Sequence, residues 1–431
     1  MNQTDASGPP VARAAGIALA FLFLINVVNY VDRQILSILL QSIKEDLKLS
    51  DSQLGWLTGF AFALFYAVFG IPLARLADRA SRRRIIMVSL AAWSAMTALC
   101  GFAQNFVQLM LARIGVAVGE AGASPPTHSM LADLYPHGKR AVALAIYSCG
   151  VPVGILVGLA AGGWINEAFD WRTAFFVVGL PGILLAVVFG LVVREPTRSY
   201  SVAKEDRPSI RMVFSQLWKM KAYRDLVIAA TIQAFTAYGI TQWMPSFFIR
   251  TYGLGTAEVG LYLGLTIGIF SGAGTFLGGW LADYFGKGGM RWYAWIPGLQ
   301  ILITIPFYFF VFSAPTFMIA LMWLAIPTFL TNAFTGPVFG AVQTLAPPAM
   351  RAMAAAILLF VLGLVGQGGG PVLIGMLSDA FAPTSGAGSL RLALLVVVGL
   401  KVFAVWRFYV AGRSLEARAA EGGASAKVGA G

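Results

Sequence analysis

The chain has 431 residues, 58% of them hydrophobic and only 12% charged, whereas an average soluble domain is about 45–50% apolar and about 25% charged. That balance leaves little room for a soluble fold, and at roughly 20 apolar residues per bilayer crossing it suffices for on the order of twelve helices. A formal net charge of +12 would suggest nucleic acid in a soluble protein; here the position of each charge decides its meaning.

Taken in chain order, the N-terminal segment 1–13 carries Asp5 and one basic residue, Arg13. The apolar run that follows is too long for the core of a signal peptide and predicts a first spanning helix from Ala14 to Leu40. Further apolar runs bounded by charge or by Pro and Gly predict spans Leu54 to Leu73, Ile85 to Ala103, Val107 to His128, Ala141 to Ile165 and Thr173 to Val193. After a polar interval come Leu226 to Phe248, Val259 to Leu281, Trp292 to Phe312, Thr316 to Phe339, Ala352 to Leu377 and Leu392 to Val410. The interval divides the chain into halves 14–193 and 226–410, joined by a linker 194–225 and followed by a small, polar tail 411–431 that reads as disordered. Within the linker, the basic stretch Lys204 to Arg224 with Trp218 predicts a cytoplasmic helix lying on anionic lipid.

An even number of crossings puts both termini on one side, and the basic residues say which. With the termini inside, 23 of the 31 Lys and Arg fall in interior segments, among them Arg79, Arg82, Arg83 and Arg84 after the second span. Only Lys44, Lys48, Arg172, Arg250 and Arg391 fall outside. The positive charge is thus an orientation signal for a multi-pass membrane protein with cytoplasmic termini, and nucleic acid loses its support as a partner.

The halves repeat one another. Gly279, Leu281, Ala282 and Asp283 echo Ala74, Leu76, Ala77 and Asp78 at a shift of 205 positions, and Pro337, Pro347, Arg351 and Ala352 echo Pro126, Pro136, Arg140 and Ala141 at a shift of 211. The fold class is therefore an all-α integral membrane protein with twelve transmembrane helices in two pseudo-symmetric six-helix halves. Such duplication predicts a transporter with a central cavity near the membrane midplane.

These residues resemble the major facilitator superfamily over essentially the whole chain. The loop Ala74-Arg75-Leu76-Ala77-Asp78-Arg79-Ala80-Ser81-Arg82 is similar to the family's Gly-x-x-x-Asp-Arg-x-Gly motif, with both glycines replaced. The copy from Gly279 to Lys287 keeps its glycines but has Tyr284 for the Arg. The resemblance implies a gating role for Asp78, Arg79, Arg82, Gly279 and Asp283. Asn29-Tyr30-Val31-Asp32-Arg33 and the run from Arg113 through Glu120 to Pro125 look like the spinster-type branch, whose animal members move sphingosine phosphate and lysophospholipids. A similar Asn-Tyr-x-Asp-Arg occurs in organic-anion transporters, so a small organic anion or drug is the alternative cargo. A non-transporting sensor on the same fold would need no protonatable cavity acids.

Asp32 and Glu120 are the acids that fall inside spans; Arg33, Arg113 and Lys401 are the bases. Charges at the bilayer centre cost at least about 2.5–3.5 kcal/mol each and therefore line cavities or pair. Lys401 sits late enough in its helix to snorkel to the cytoplasmic surface. Arg113 and Glu120 share one face of helix 4, and Asp32 and Arg33 point about 100° apart on helix 1. Burial and a neighbouring arginine act on a carboxyl in opposite senses, so Asp32 and Glu120 are the candidate proton carriers. Arg33 and Arg113, whose planar forks suit phosphate or carboxylate, are the candidate anion site. A static salt-bridge cluster is the competing reading.

Asn29 in helix 1, Gln233 and Tyr238 in helix 7 and Asn332 in helix 10 are further candidates for substrate contact. Gly150, Gly154, Gly158 and Gly162 form a stripe that lets another helix approach closely, and Gly369 lies in the glycine cluster of helix 11, a candidate flexure. His128 and His137 read as solvated loop groups at the end of helix 4. Cys100 and Cys149 make no disulfide or metal framework. No phosphate loop, zinc signature or nucleophile elbow is present, so the chain is expected to be no enzyme and to need no cofactor or metal. Its expected partners are the lipid bilayer, protons and an amphipathic lipid-like or organic-anion substrate, handled by a monomer.

Overall fold

A computed structural model describes residues 9–198, 210–286, 289–347 and 350–428. In hydrocarbon every backbone N–H and C=O must be paired inside the segment, and the described chain is accordingly helical. The first half contains α1 (Pro9–Leu47), α2 (Asp51–Thr58), α3 (Phe60–Arg79), α4 (Arg82–Cys100), α5 (Phe106–Ala121), α6 (Ser124–Leu134), α7 (His137–Ser148), α8 (Gly150–Ala168) and α9 (Trp171–Val192). After α10 (Ile210–Lys219) the second half contains α11 (Lys221–Tyr252), α12 (Thr256–Gly286), α13 (Trp292–Ser313), α14 (Phe317–Asn332), α15 (Thr335–Leu345), α16 (Arg351–Val361), a π-helical turn over Leu362–Gln367, α17 (Gly368–Ser385) and α18 (Ser389–Val428). Side-chain caps set several starts: Ser50 makes a capping box with Gln53, Asn105 accepts from the Gln108 N–H and Asp170 from the Thr173 N–H.

Among the described residues ten helical stretches are long and apolar enough to cross a membrane. One of them, Met353–Arg418, is broken at Gly386–Gly388 and holds two crossings. With α11, whose polar residues lower its hydropathy, the helices account for the twelve predicted spans. Several crossings are built from two consecutive helices, as where α2 gives way to α3 at Gly59 and α5 to α6 at Gly122.

The chain divides into two compact units that differ from the sequence halves. The first comprises Met1–Leu49, Ala61–Ala203 and Leu254–Gly264; the second comprises Ser50–Phe60, Lys204–Gly253 and Leu265–Gly431. Each unit therefore contains the first turns of one helix from the other half, and glycines explain why. In the second unit a Cβ on Gly55 would lie 2.6 Å from the carbonyl oxygen of Pro371, and Gly59 meets the carbonyl of Gly368. In the first unit Gly260 meets the carbonyl of Leu159, and a Cβ on Gly264 would lie 3.1 Å from that of Leu156.

These contacts repeat in register: the glycines are 205 positions apart, as are the matched loops, and the carbonyls they meet are 212 apart. The polar contacts obey the same shifts. The Ser52 N–H donates to Asp379 Oδ2 at 2.7 Å in the second unit, and the Ala257 N–H donates to Glu167 Oε2 at 2.8 Å in the first. In both cases a carboxylate receives the free N–H groups of a helix start. The second unit adds Arg250, which donates to both oxygens of Asp51 at 2.7 and 2.8 Å, and Ser378, whose hydroxyl donates to Asp51 at 2.6 Å.

Two expectations about the linker and tail are corrected. Helix α10 forms, with Val213 and Leu217 buried in the core of the second unit beside Leu226, Ala354 and Leu358, while Met212 and Phe214 stay exposed; only part of its apolar surface is therefore covered by protein. Residues 199–209 lie outside the described residues. Over 411–428 the expected disordered tail is helical instead, since α18 continues to Val428; residues 429–431 lie outside the described residues. Alanine, leucine, glutamate and arginine favour helix there, Ala411 and Leu415 are fully buried in the same core, and Arg291 donates to Glu416 at 2.9 Å.

Candidate functional site

Within the first unit, α1 and α3 to α8 surround a cavity of about 210 Å³ whose lining includes Asn29, Arg33, Tyr66, Glu120, His128 and Tyr147. The glycine stripe of α8 brings α1 to this place. A Cβ on Gly158 would lie 3.0 Å from both the Cα and the carbonyl oxygen of Val31, and one on Gly154 would lie 2.6 Å from the carbonyl oxygen of Val27. Asn26 braces the neighbouring turn by donating to the Tyr147 carbonyl at 2.8 Å. Replacing Gly158 by leucine forces α1 away from α8, and we expect uptake into proteoliposomes to fall severalfold; an unchanged rate would show that this contact does not hold the site.

The charged centre of the cavity wall is an ion pair. Arg33 Nε donates to Glu120 Oε2 at 2.7 Å, with the Glu120 side chain fully buried and that of Arg33 18% exposed. Aromatic rings hold the guanidinium, with Tyr66 at 5.0 Å, Phe62 at 5.2 Å and Tyr30 at 5.4 Å from its carbon to their centroids. This box went unrecognised in the sequence. Its signal was the i, i+4 spacing of Phe62 and Tyr66, whose rings stack 6.0 Å apart. The second oxygen of Glu120 has no hydrogen-bond partner.

Asp32 and Arg113 do not share this wall. Asp32 is fully buried beside the Thr97 hydroxyl and the Trp93 indole N–H, with no donor within ordinary hydrogen-bond distance of its carboxylate oxygens. Arg113, only 2% exposed, donates through Nη1 to the main-chain oxygen of Asp32 at 3.3 Å and lies over Phe62. Arg113, expected from the sequence at the anion site, is therefore buried and is not among the residues that line this cavity.

The other candidates are scattered. Gln233 is fully buried, and its Oε1 accepts from Lys401, which removes it from any cavity surface. Tyr238 is 45% exposed on α11. Asn332 is half-buried and donates to the carbonyl of Thr328 one turn earlier on its own helix. Lys401 does not snorkel but is fully buried. His128 is no loop group; it lies on α6, edge-on to Tyr147 with centroids 5.4 Å apart. In the second unit Gly369 packs against Phe235, where a Cβ would lie 2.7 Å from the ring, one residue beyond the π-helical turn and Gly368.

Of the gating residues, Asp78 and Arg79 are exposed at the end of α3. The carbonyls of that helix end are capped by Arg198, which donates to Ala77 at 2.9 Å, to Ala80 at 2.6 Å and also to Asp78. Arg82 is buried and joins α4 to Ser129 and Asp133 of α6 and to Glu195. Gly279 and Asp283 belong to α12, and their surroundings lie outside the described residues.

A duplicated bundle of apolar crossings with a charged pair in its wall defines a membrane transporter rather than an enzyme. The chain belongs to the major facilitator superfamily, whose family model matches residues 22–371. Within the superfamily it is similar to spinster-type proteins. The crystal structure of a bacterial homologue of the human lysosomal transporter spinster, inward-facing and unoccupied, superposes with a TM-score of 0.85 at 32% identity, covering 95% of this chain and 98% of that one. An MFS-type efflux pump of Mycolicibacterium smegmatis is 33% identical over 92% of this chain and 91% of its own. Protein spinster homolog 1 of Xenopus tropicalis is 26% identical over 83% of this chain and 72% of its own.

Proposed function

We propose that this multi-pass membrane protein is a proton-coupled secondary transporter of an amphipathic anionic or zwitterionic solute. The expected cargo is a lysophospholipid or a sphingosine-phosphate-like lipid, moved by alternating access across a bacterial plasma membrane by a monomer with cytoplasmic termini. The observation that carries this reading is the Arg33–Glu120 pair in the cavity wall. Arginine stays protonated at any physiological pH, and its fork fits a phosphate or carboxylate. While Glu120 is ionised it occupies Arg33. Once Glu120 takes a proton, the guanidinium is released to an anionic headgroup, and a proton and an anion bind as linked events. Asp32, fully buried one residue from Arg33, is the second proton carrier. The lipid part of the reading rests on similarity to the spinster-type proteins.

Proteoliposomes loaded at different internal and external pH and supplied with a labelled lysophospholipid or a labelled sphingosine phosphate test the reading. Asp32→Asn and Glu120→Gln are each expected to abolish the acceleration of transport by a pH gradient. Retention of wild-type pH dependence by both variants would overturn the proposal. The relative described as an efflux pump favours a second reading, a small organic anion or drug as cargo. Stabilisation of the purified protein by small dicarboxylates and by none of the lipids would select it.

A further inference from the structure

Lys401 on α18 is fully buried. Its Nζ donates to Gln233 Oε1 of α11 at 3.0 Å and stands 5.3 Å from the ring centroid of Tyr308 of α13. Among the described residues no carboxylate pairs with it. The same two helices do provide one nearby: Arg407 of α18 meets Asp225 of α11 at 2.9 Å. A cation that never loses its charge has a counter-charge in this helix pair, whereas the buried amine has an amide.

That difference has a chemical meaning. An ammonium has protons to give and no lone pair, and a neutral amine has a lone pair to offer. A carboxylate at position 233 would satisfy only the first state. An amide satisfies both, because turning its plane over replaces Oε1, which accepts from the ammonium, with Nε2, which donates to the amine. Gln233 Nε2 is buried without a partner, so the turn breaks no other hydrogen bond. The ring face of Tyr308 attracts the cation and tolerates the neutral form. The charged and titratable groups facing Lys401 from its neighbours are few: Tyr308 itself from α13 and, two turns along α11, Asp225 already held by Arg407. On α17, Asp379 is engaged with the start of α2.

We infer that Lys401 is a proton-binding site in the C-terminal half, distinct from the Asp32 and Glu120 carriers, with Gln233 as a partner for both of its states. On release the N–H bond breaks, the electron pair stays on Nζ and the proton leaves to water when the cycle exposes the site. Only the use of this proton in transport rests on the function proposed above; the binding itself does not.

The test therefore needs no substrate. Purified full-length protein in detergent is titrated from about pH 5 to about pH 9, and the curve of Lys401→Met is subtracted. Wild type is expected to exchange one more proton per chain than the variant, and the difference is expected to persist in the Asp32→Asn, Glu120→Gln background, which separates it from those two acids. Gln233→Glu, which supplies the missing carboxylate, is expected to remove that proton from the window while Lys401 remains. A flat difference curve with a folded Lys401→Met protein would overturn the inference, and so would a Gln233→Glu curve identical to wild type. Should Lys401→Met fail to fold, Gln233→Glu against wild type reads the same proton.

Discussion

Replacing Arg33 by methionine is expected to lower the thermal unfolding midpoint of the detergent-solubilised protein and to abolish transport of anionic lipid. The physical cause is the partner left behind. Glu120 is fully buried, one of its oxygens already has no partner, and the other is held by Arg33 at 2.7 Å. Breaking a buried pair by removing one member costs about 3–5 kcal/mol, more than the pair is worth against a well-packed apolar substitute. The double variant Arg33→Met with Glu120→Leu should therefore regain most of the lost stability while remaining inactive. Equal instability of the single and double variants would show that Arg33 acts by packing against Tyr30, Phe62 and Tyr66 rather than by charge. Lysine at position 33 is expected to keep part of the stability and little of the transport, because an ammonium has no planar fork to offer a phosphate.

A second large effect is expected at Arg82, at the start of α4. Its Nε donates to Glu195 at 3.0 Å, Nη1 to the Ser129 hydroxyl at 3.0 Å and to Asp133, and Nη2 to the Pro196 carbonyl at 3.0 Å. One buried side chain thus joins α4, α6 and the segment after α9. Arg82→Ala is expected to cost about 3 kcal/mol, the low end for a broken pair because water still reaches Glu195; differential scanning fluorimetry in detergent measures it. Burial pushes the Glu195 carboxyl up, but the Ser81 hydroxyl, the Arg83 N–H and Arg82 together outweigh it and hold it below its ordinary value. A depressed carboxylate stabilises the folded state above the unfolded value and loses that contribution as the pH falls through the folded one. Unfolding should therefore become easier below about pH 4.3, and Glu195→Gln should flatten that part of the profile. An unchanged profile would mean that Ser81, Arg83 and Arg82 do not hold the Glu195 carboxyl below its ordinary value.

The sequence was informative about spans and repeats because bilayer thickness acts on every crossing alike. An apolar run of given length is a helix whatever its neighbours, and a duplicated chain repeats its loops at similar shifts, 205 and 211 positions here. The glycines at 55, 59, 260 and 264 obey the first of these. Their meaning was hidden, since a glycine in a helix signals close approach without naming the helix that approaches. The same limit applied to Lys401. Its lateness in an apolar run suggested snorkelling, but a side chain turned toward α11 and α13 cannot reach the surface. The segment after position 410 is small, polar and rich in glycine towards its end, which points to coil, but Ala411 and Leu415 are fully buried in the core of the second unit and hold its first turns in α18.

The sequence by itself determined the class of molecule, the apolar runs that cross the membrane, its internal duplication and the rare charges that hydrocarbon does not tolerate alone. Only the tertiary structure decided how those charges are used: Arg33 with Glu120 in a cavity wall, Arg113 behind it on the Asp32 backbone, Lys401 with an amide instead of an acid. The reason is one of distance. Insertion into a membrane is governed by each segment's own composition, whereas pairing joins residues 87, 81 and 168 positions apart, and no local property of the chain encodes which of them will meet.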